Sequence, residues 1–134
     1  MITIRVENRT PELMQKVEAA IGRFVRKSAL YVEGEIKSSM AEPKSGNSYK
    51  RGKDGTHVAS APGESPAVDS SNYIGSIQTL IENSLEAKVG TLLEYPVYLE
   101  EGTSSIEPRP LWEKTATEVL PTLENLLKNE LRAI

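Results

Sequence analysis

The stretch TPELMQKVEAAIGRFVRKSALYVEGEIKSSM, residues 10–40, decides the fold of this chain. Its apolar positions recur every three or four residues, as on one face of an amphipathic helix: Leu13, Val17, Ala20, Ile21, Phe24, Val25, Ser28, Val32, Ile36 and Met40. At its start Thr10 can act as the cap, Pro11 suits the first helical position and Glu12 favours the positive end of the helix dipole.

A single helix over this stretch would be roughly 45 Å long. A compact domain of this chain length is only about 30 Å across. We therefore expect part of the helix to lie against another chain or to project from the body. The alternative is a break near Ser28 that gives two packed helices.

With 134 residues, the chain fits one domain over residues 1–134 with a modest core. It has no cysteine, which excludes a disulfide scaffold and a thiolate metal site and suits a reducing compartment. It shows neither a secretory signal pattern nor an apolar run of the roughly 20 residues that span a bilayer. We expect a soluble cytoplasmic protein without a membrane partner.

Charge is distributed unevenly along the chain. Residues 1–68 carry eleven basic and eight acidic side chains, whereas residues 69–134 carry five basic and eleven acidic ones. The first half is therefore net positive and the second half net negative. This asymmetry is either accidental or a device by which one end of a subunit attracts the opposite end of its neighbour, a head-to-tail contact that can close a ring.

Short strands are predicted on both sides of the helical stretch. Before it, apolar and polar residues alternate, which predicts a strand with one buried face: Ile2, Ile4 and Val6 against Thr3, Arg5 and Glu7. After residue 76, two alternating runs flank Asn83 and Ser84, which predicts a hairpin with a two-residue turn and one core face. Asp69 or Ser70 can cap a short helical turn just before this hairpin.

Residues 41–68 hold four glycines and three prolines but hardly any large apolar side chain. Such a composition cannot build a packed core, so we expect a long mobile loop inserted into the domain, which orders only on assembly. Within it Lys44, Lys50, Arg51 and Lys53 could lie near DNA and touch phosphates. The acidic residues of the same loop and a sequence pI near 5.3 argue against dedicated nucleic-acid binding.

The segment YPVYLEEGTSSIEPRPLW, residues 95–112, holds two tyrosines, the only tryptophan and three of the eight prolines. We call it the aromatic corner. It predicts a short amphipathic turn, a break at the glycine and a proline-fixed approach to a final helix. Rigid aromatics suit an interface, and the predicted interface residues are Tyr95, Tyr98, Glu101, Gly102, Thr103, Arg109, Pro110 and Trp112. The alternative is that the aromatics belong to the core.

An apolar stripe predicts the final helix over residues 111–134, with a kink near Leu120 caused by Pro121: Trp112, Ala116, Val119, Leu120, Leu123, Leu126, Leu127 and Leu131. The predicted fold is α+β. A long N-terminal helix and a C-terminal helix pack on a small antiparallel sheet, and a long flexible loop separates the halves of the chain.

Catalytic chemistry is weakly indicated. The only histidine, His57, lies in the glycine-rich loop, and Glu100 and Glu101 would point about 100° apart on a helical turn, which is poor for a metal or an acid–base pair. We expect no catalytic residue, no cofactor and no metal site. The alternatives are a small hydrolase that uses His57 and a nucleic-acid-binding or regulatory module that uses the basic residues 44–53.

The order of motifs resembles the small neck proteins of long-tailed, non-contractile bacteriophages and prophages, the tail-completion or head–tail joining proteins. The likeness covers roughly residues 10–130. The residues that carry it are Ser60-Ala61-Pro62-Gly63, Pro66-Ala67, Asp69, Ser76-Ile77, Val89-Gly90, Tyr95, Tyr98, Glu101-Gly102-Thr103 and Arg109-Pro110-Leu111. The chain departs from the pattern at Ser70-Ser71-Asn72-Tyr73, where the family usually has Thr-Gly-x-Leu.

The resemblance implies a non-enzymatic subunit of a homo-oligomeric ring, commonly a hexamer, at the head–tail junction of the virion. Its implied partners are the connector or adaptor and the tail-tube or tail-terminator proteins, with DNA passing through the lumen. The free subunit of such a ring can be a monomer that assembles, in the cytoplasm of the host bacterium, only on its neighbours.

Overall fold

A computed structural model describes residues 1–51, 55–68 and 72–134 of the chain. Two long helices and two small antiparallel sheets make an α+β arrangement, which confirms the predicted fold class. In chain order the elements are α1 (Thr10–Ala41), β1 (Ser48–Arg51), β2 (Gly55–Val58), α2 (Asn72–Ser76), β3 (Gln78–Asn83), β4 (Glu86–Gly90), α3 (Tyr95–Glu101) and α4 (Trp112–Arg132).

Helix α1 is continuous over 32 residues, so the alternative of a break near Ser28 is wrong. Its first turn contains Pro11 and Glu12, as predicted. Thr10 is the first helical residue and not the cap, which is Arg9. The Thr10 N–H instead donates a hydrogen bond of 3.0 Å to Asn8 Oδ1.

Helices α1 and α4 pack against each other. They run in opposite directions, because Arg23 bonds Glu130 near the end of α4 whereas Ile36 clusters with Trp112 at its start. Near the end of α4, the buried carboxylate of Glu130 accepts hydrogen bonds from Arg23 Nε at 2.8 Å and from Lys27 Nζ. These two bonds from the cationic side chains lower the pKa of Glu130 below its ordinary value. Pro121 lies inside α4, which continues as one helix on both sides of it.

Strands β3 and β4 form the predicted hairpin. Thr79 pairs with Val89 on the face turned toward α1, and Leu80 pairs with Lys88 on the solvent face. The turn consists of residues 84–85, one position later than predicted, because a register shift in β3 pairs Asn83 with Glu86. Side-chain periodicity locates a strand but does not reveal such a bulge.

The predicted N-terminal strand is wrong for the isolated chain. Residues 1–9 form no strand, and Ile2, Ile4 and Val6 are 91%, 87% and 90% exposed. Alternation describes a segment that can bury one face, but a strand also needs a partner to receive its backbone hydrogen bonds. Within the described part of the chain, neither two-stranded sheet supplies one.

The expectation that residues 41–68 hold no regular structure is also wrong, whereas the predicted mobility of this loop stays a prediction. Strands β1 and β2 pair there as an antiparallel hairpin, with Tyr49 opposite His57. The Gly46 N–H donates to the Ala59 carbonyl at 2.9 Å, and a Cβ on Gly46 would meet that oxygen at 2.5 Å. The backbone hydrogen bonds between paired strands need no large apolar side chains. For this reason the amino-acid composition did not predict this hairpin. The predicted caps Asp69 and Ser70 lie outside the described residues.

A cluster of buried apolar side chains lies at one end of the molecule. It consists of Ile36, Met40, Tyr73, Ile77 and Leu111, whereas the buried Ala20, Ala29 and Val119 lie farther along α1 and α4. The solvent-accessible surface is 9730 Å², whereas a compact monomer of 14.7 kDa exposes about 6,900 Å². The chain therefore leaves far more surface open than its size requires.

Candidate interaction surface at the aromatic corner

The first half of the aromatic corner is the helix α3, which ends at Gly102. The Gly102 N–H donates to the Tyr98 carbonyl at 2.9 Å, and the glycine has φ = 77°. A Cβ at this position would lie 2.9 Å from both the Ile106 carbonyl oxygen and Pro108 Cδ. Both the left-handed backbone and the close approach require glycine, so the predicted break at this residue has a steric cause.

Glu100 joins α3 to α4. Its Oε1 accepts hydrogen bonds from the N–H groups of Leu111 at 2.7 Å and Trp112 at 2.8 Å, and its Oε2 accepts from Glu113 at 3.2 Å. These are N–H groups of the first turn of α4, which have no partner inside the helix, and a negative charge is favourable there. Glu100 thus caps a helix that begins twelve residues later in the sequence, a separation that local capping patterns do not cover.

Arg109 holds the second half of the aromatic corner in place through hydrogen bonds. Its N–H donates to the Leu99 carbonyl at 2.6 Å, and its Nε lies 3.1 Å from both the carbonyl oxygen and Oγ of Ser60. Its Nη1 donates to the Glu107 carbonyl at 2.8 Å. The guanidinium is therefore engaged within the chain, where it ties the segment after β2 to the corner.

Tyr73 packs against the buried side of the aromatic corner. It is 6% exposed, its hydroxyl accepts a 2.9 Å hydrogen bond from Trp112 Nε1, and its ring meets that of Tyr95 edge-on at 5.7 Å. Burial raises the pKa of the Tyr73 hydroxyl to about 12. The tyrosine at which the chain departs from the neck-protein pattern is thus a core residue.

The outer surface of the corner is apolar and open. Val97 is 54% exposed, Tyr98 60%, Ile106 45% and Tyr95 43%. Glu101 and Thr103 are also exposed, whereas the other predicted interface residues are half-buried: Gly102, Arg109, Pro110 and Trp112. The structure thus divides the predicted set into side chains that a partner can reach and side chains that hold the corner in shape. Their role at an interface stays a prediction.

Of the predicted DNA-proximal residues, Lys44 and Lys50 have described side chains, and these differ in environment. Lys44 turns inward, where its Nζ donates to the Ser39 carbonyl at 2.8 Å and to Ser65 Oγ at 2.7 Å. Desolvation by burial lowers the pKa of Lys44. Lys50 is exposed on β1. Arg51 is described only as the last residue of that strand, and Lys53 lies outside the described residues.

The Lys44 and Ser65 contact has the composition of a serine–lysine catalytic pair, but its geometry is that of a helix end. Ser65 is 3% exposed, and its hydroxyl donates to the Ser39 carbonyl at 2.7 Å. Lys44 and Ser65 therefore both donate to the Ser39 carbonyl. This carbonyl lies in the last turn of α1, where carbonyl groups have no N–H donor within the helix. The pair anchors the segment after β2 to α1.

Glu64 forms a second clamp on this segment. Its carboxylate accepts hydrogen bonds from the Ser45 hydroxyl, from the Ser45 N–H at 3.2 Å and from the Ala61 N–H at 2.9 Å. The Ser45 side chain contributes most, and together these bonds lower the pKa of Glu64 to about 2. Residues scattered over the sequence are thus joined by polar contacts that sequence periodicity cannot reveal.

Within residues 1–51, 55–68 and 72–134, no three histidine, aspartate or glutamate side chains gather as metal ligands would. The described helices include none with the length and apolarity to cross a bilayer. His57 is half-buried on β2. In comparisons with protein-family models, curated proteins and solved structures, nothing matches this chain.

Proposed function

We propose that this chain is a structural subunit of the neck of a tailed bacteriophage. Copies assemble into a ring between the head connector and the tail, complete the tail and leave a passage for DNA. The subunit carries no catalytic activity. Its partners are further copies of itself and the connector or adaptor and tail-tube or tail-terminator proteins. The ordered motifs of the sequence supply the family resemblance on which this proposal rests.

The observation that carries the proposal furthest is the excess of exposed surface. The chain exposes 9730 Å², about 2,800 Å² more than a compact monomer of its mass. A stable interface covers about 800 Å² on each partner, so two neighbours in a ring would cover about 1,600 Å². The remaining excess is of the size that further contacts with head and tail proteins would use.

The aromatic corner supports the same proposal by its rigidity. Glu100 and Arg109 fix the backbone through hydrogen bonds within the chain. The exposed rings of Tyr95 and Tyr98 are therefore held on a fixed backbone, so less conformational entropy would be lost when a partner binds them. Partly exposed tyrosines on a preorganised backbone are typical of interface hot spots.

The test compares Tyr98→Ala with Tyr49→Ala in a phage whose own copy of the gene has been deleted. Both tyrosines are about half exposed, 60% and 47%, but only Tyr98 belongs to the aromatic corner. We expect both variants to fold, and Tyr98→Ala alone to lower infectious titre and leave unjoined heads and tails in electron micrographs. Full titre with Tyr98→Ala would contradict the role of the corner.

The nucleic-acid-binding alternative makes a different forecast for the same proteins. It requires the basic residues 44–53 to act together, yet Lys44 is engaged with Ser39 and Ser65. The neck proposal expects no retardation of a DNA fragment by the purified subunit at low salt. Salt-dependent retardation that Tyr49→Ala weakens would favour the alternative.

A further inference from the structure

We propose that residues 2–6 of one copy add as a strand to the free edge of β4 in a second copy. Their three apolar side chains then fill the cleft beside that strand. This inference rests on the self-association in the proposed function and not on the phage assignment. Residues 1–9 are called the arm.

The arm has the alternating sequence of a β-strand, but it pairs with no strand in the described part of the chain. Ile2, Ile4 and Val6 would share one face of an extended segment, because successive side chains alternate between faces. All three are about nine-tenths exposed. An exposed extended segment with one apolar face is the usual donor in strand addition to a sheet edge.

The acceptor is the outer edge of β4. This strand pairs with β3 along one edge, and no strand within the described residues pairs with the other. The edge of β3 carries a bulge between Ile81 and Asn83, a feature that hinders strand addition. The edge of β4 is regular over Glu86–Gly90.

An apolar cleft of about 450 Å³ lies on the β4 side of the hairpin. Helix α1 lines it with Phe24 and Val25, α4 with Leu123, and β4 with Ala87 and Val89, whereas no residue of β3 does. A strand added to β4 would therefore place its inward side chains over this cleft. The apolar face of the arm suits such a lining.

Charges fit one register of the added strand. The inward residues of β4 are Ala87 and Val89, so an arm with its isoleucines inward turns Arg5 to the solvent face that Glu86 occupies. With the arm antiparallel to β4, Arg5 stands opposite Glu86, Ile4 opposite Ala87 and Ile2 opposite Val89. Opposite charges across a strand pair are stabilising.

The arm of the same chain cannot reach this register. Ser84, two residues before Glu86, lies against Gly22, on which a Cβ would be 3.7 Å from Ser84 Cβ. Gly22 is about 18 Å along the helix from Thr10, and the strand lies about a further 10 Å to the side of the helix axis. In this register Glu7 stands beside Ser84, and the three residues from Glu7 to Thr10 span at most about 10 Å, which falls short of that distance even when one strand spacing of about 5 Å is allowed for. The occupant must then be a second copy.

Cysteine cross-linking tests this pairing, and the chain has no cysteine of its own. Opposed residues on paired strands have Cβ atoms about 4.5–5.5 Å apart, close enough for a disulfide after small adjustment. We expect a mixture of Arg5→Cys chains and Glu86→Cys chains to form disulfide-linked heterodimers on oxidation. A chain with both substitutions should form a ladder of multimers.

The matched control replaces Glu86→Cys by Glu82→Cys, on the strand at the other side of the hairpin. It should give few heterodimers with Arg5→Cys. The inference is overturned if the doubly substituted chain closes only on itself, if Glu82→Cys links as well as Glu86→Cys, or if no link forms at any protein concentration.

A second measurement covers the apolar face. Because the arm is exposed in the subunit, Ile2→Asp with Ile4→Asp should leave the circular dichroism spectrum unchanged. It should weaken self-association in sedimentation by more than about tenfold, since two buried side chains are lost. Thr3→Asp, on the other face, should change it little; equal weakening by both would contradict the inference.

The two proposals can fail separately. Cross-links with normal virions after gene deletion would sink the neck function and leave the arm exchange in place. Unjoined heads and tails after deletion, without cross-links in the purified protein, would support the neck function and rule out the arm exchange.

Discussion

The two ends of helix α1 carry apolar side chains in opposite environments. Near its C-terminal end Ile36 and Met40 are each 1% exposed, whereas near its N-terminal end Leu13 and Met14 are each 51% exposed. The first pair packs in the core with the start of α4. The second pair stands beside the arm, at the end where α4 terminates. We call these the interlocked end and the open end.

The difference teaches that periodicity decides which face of a helix is apolar but not what covers it. At the interlocked end, polar contacts from Glu100, Arg109, Glu64 and Lys44 draw short elements onto a small core. At the open end, the arm stays in solvent and the first apolar side chains of α1 are half exposed, whereas Glu130 in the last turn of α4 is buried. Leu131 and Ile134 are 43% and 41% exposed there. On the proposed function, a neighbouring subunit would cover this end.

The largest effect on stability should come from truncating one apolar side chain of the stripe at each end of α1. Ile36→Ala removes a fully buried side chain and should lower the free energy of unfolding by about 2–5 kcal/mol. Leu13→Ala should cost less than about 1 kcal/mol in the free subunit, because that side chain is half exposed. Urea unfolding followed by circular dichroism measures both. Equal losses would show that the two ends do not differ as described.

A smaller effect should follow from removing the cap of α4. Glu100→Ala leaves three N–H groups of the first helical turn without their acceptor and should lower the free energy of unfolding by about 1–2 kcal/mol. The adjacent Glu101→Ala changes an exposed side chain and should stay within about 0.5 kcal/mol. If the two variants prove equally stable, Glu100 does not stabilise the helix start.

The smallest effect should be the acid sensitivity of the clamp at Glu64. Its pKa is lowered to about 2 in the folded chain from an ordinary value of about 4.5, so its stabilisation is complete above pH 4.5 and is lost as the pH falls toward 2. Glu64→Gln should show a smaller drop in melting temperature between pH 6 and pH 3 than the parent chain.

The control for this pH dependence is Glu42→Gln, at an exposed position just after α1. It should keep the pH dependence of the parent chain. Glu130, whose pKa is also lowered, contributes a slope of the same sign in all three proteins. The interpretation is wrong if Glu64→Gln melts with an unchanged dependence on pH.

Much of the interlocked end could be predicted from the sequence where the signal is local. The apolar spacing of residues 10–40 predicted α1, the glycine at 102 predicted the end of α3, and Pro108 with Pro110 predicted the approach to α4. Each of these signals acts over one or two turns of backbone. The alternation around Asn83 predicted the β3–β4 hairpin, with its turn misplaced by one residue.

The long-range contacts could not be predicted in this way. The capping role of Glu100 could not be predicted, since nothing within one turn shows that its carboxylate returns to the start of α4. Lys44 had been assigned to a basic patch, yet it meets Ser65, which is 21 residues away. The strand predicted at residues 2–6 fails because no strand in the described part of the chain pairs with it.

The most direct test of the proposed assembly role is electron microscopy of lysates after deletion of this gene from the phage that encodes it. Subunits shaped to join one virion part to another should be dispensable for making either part alone. We predict filled heads and separate tails in these lysates, with joining restored when the intact chain is supplied. Normal joined virions at full titre in its absence would contradict the proposal.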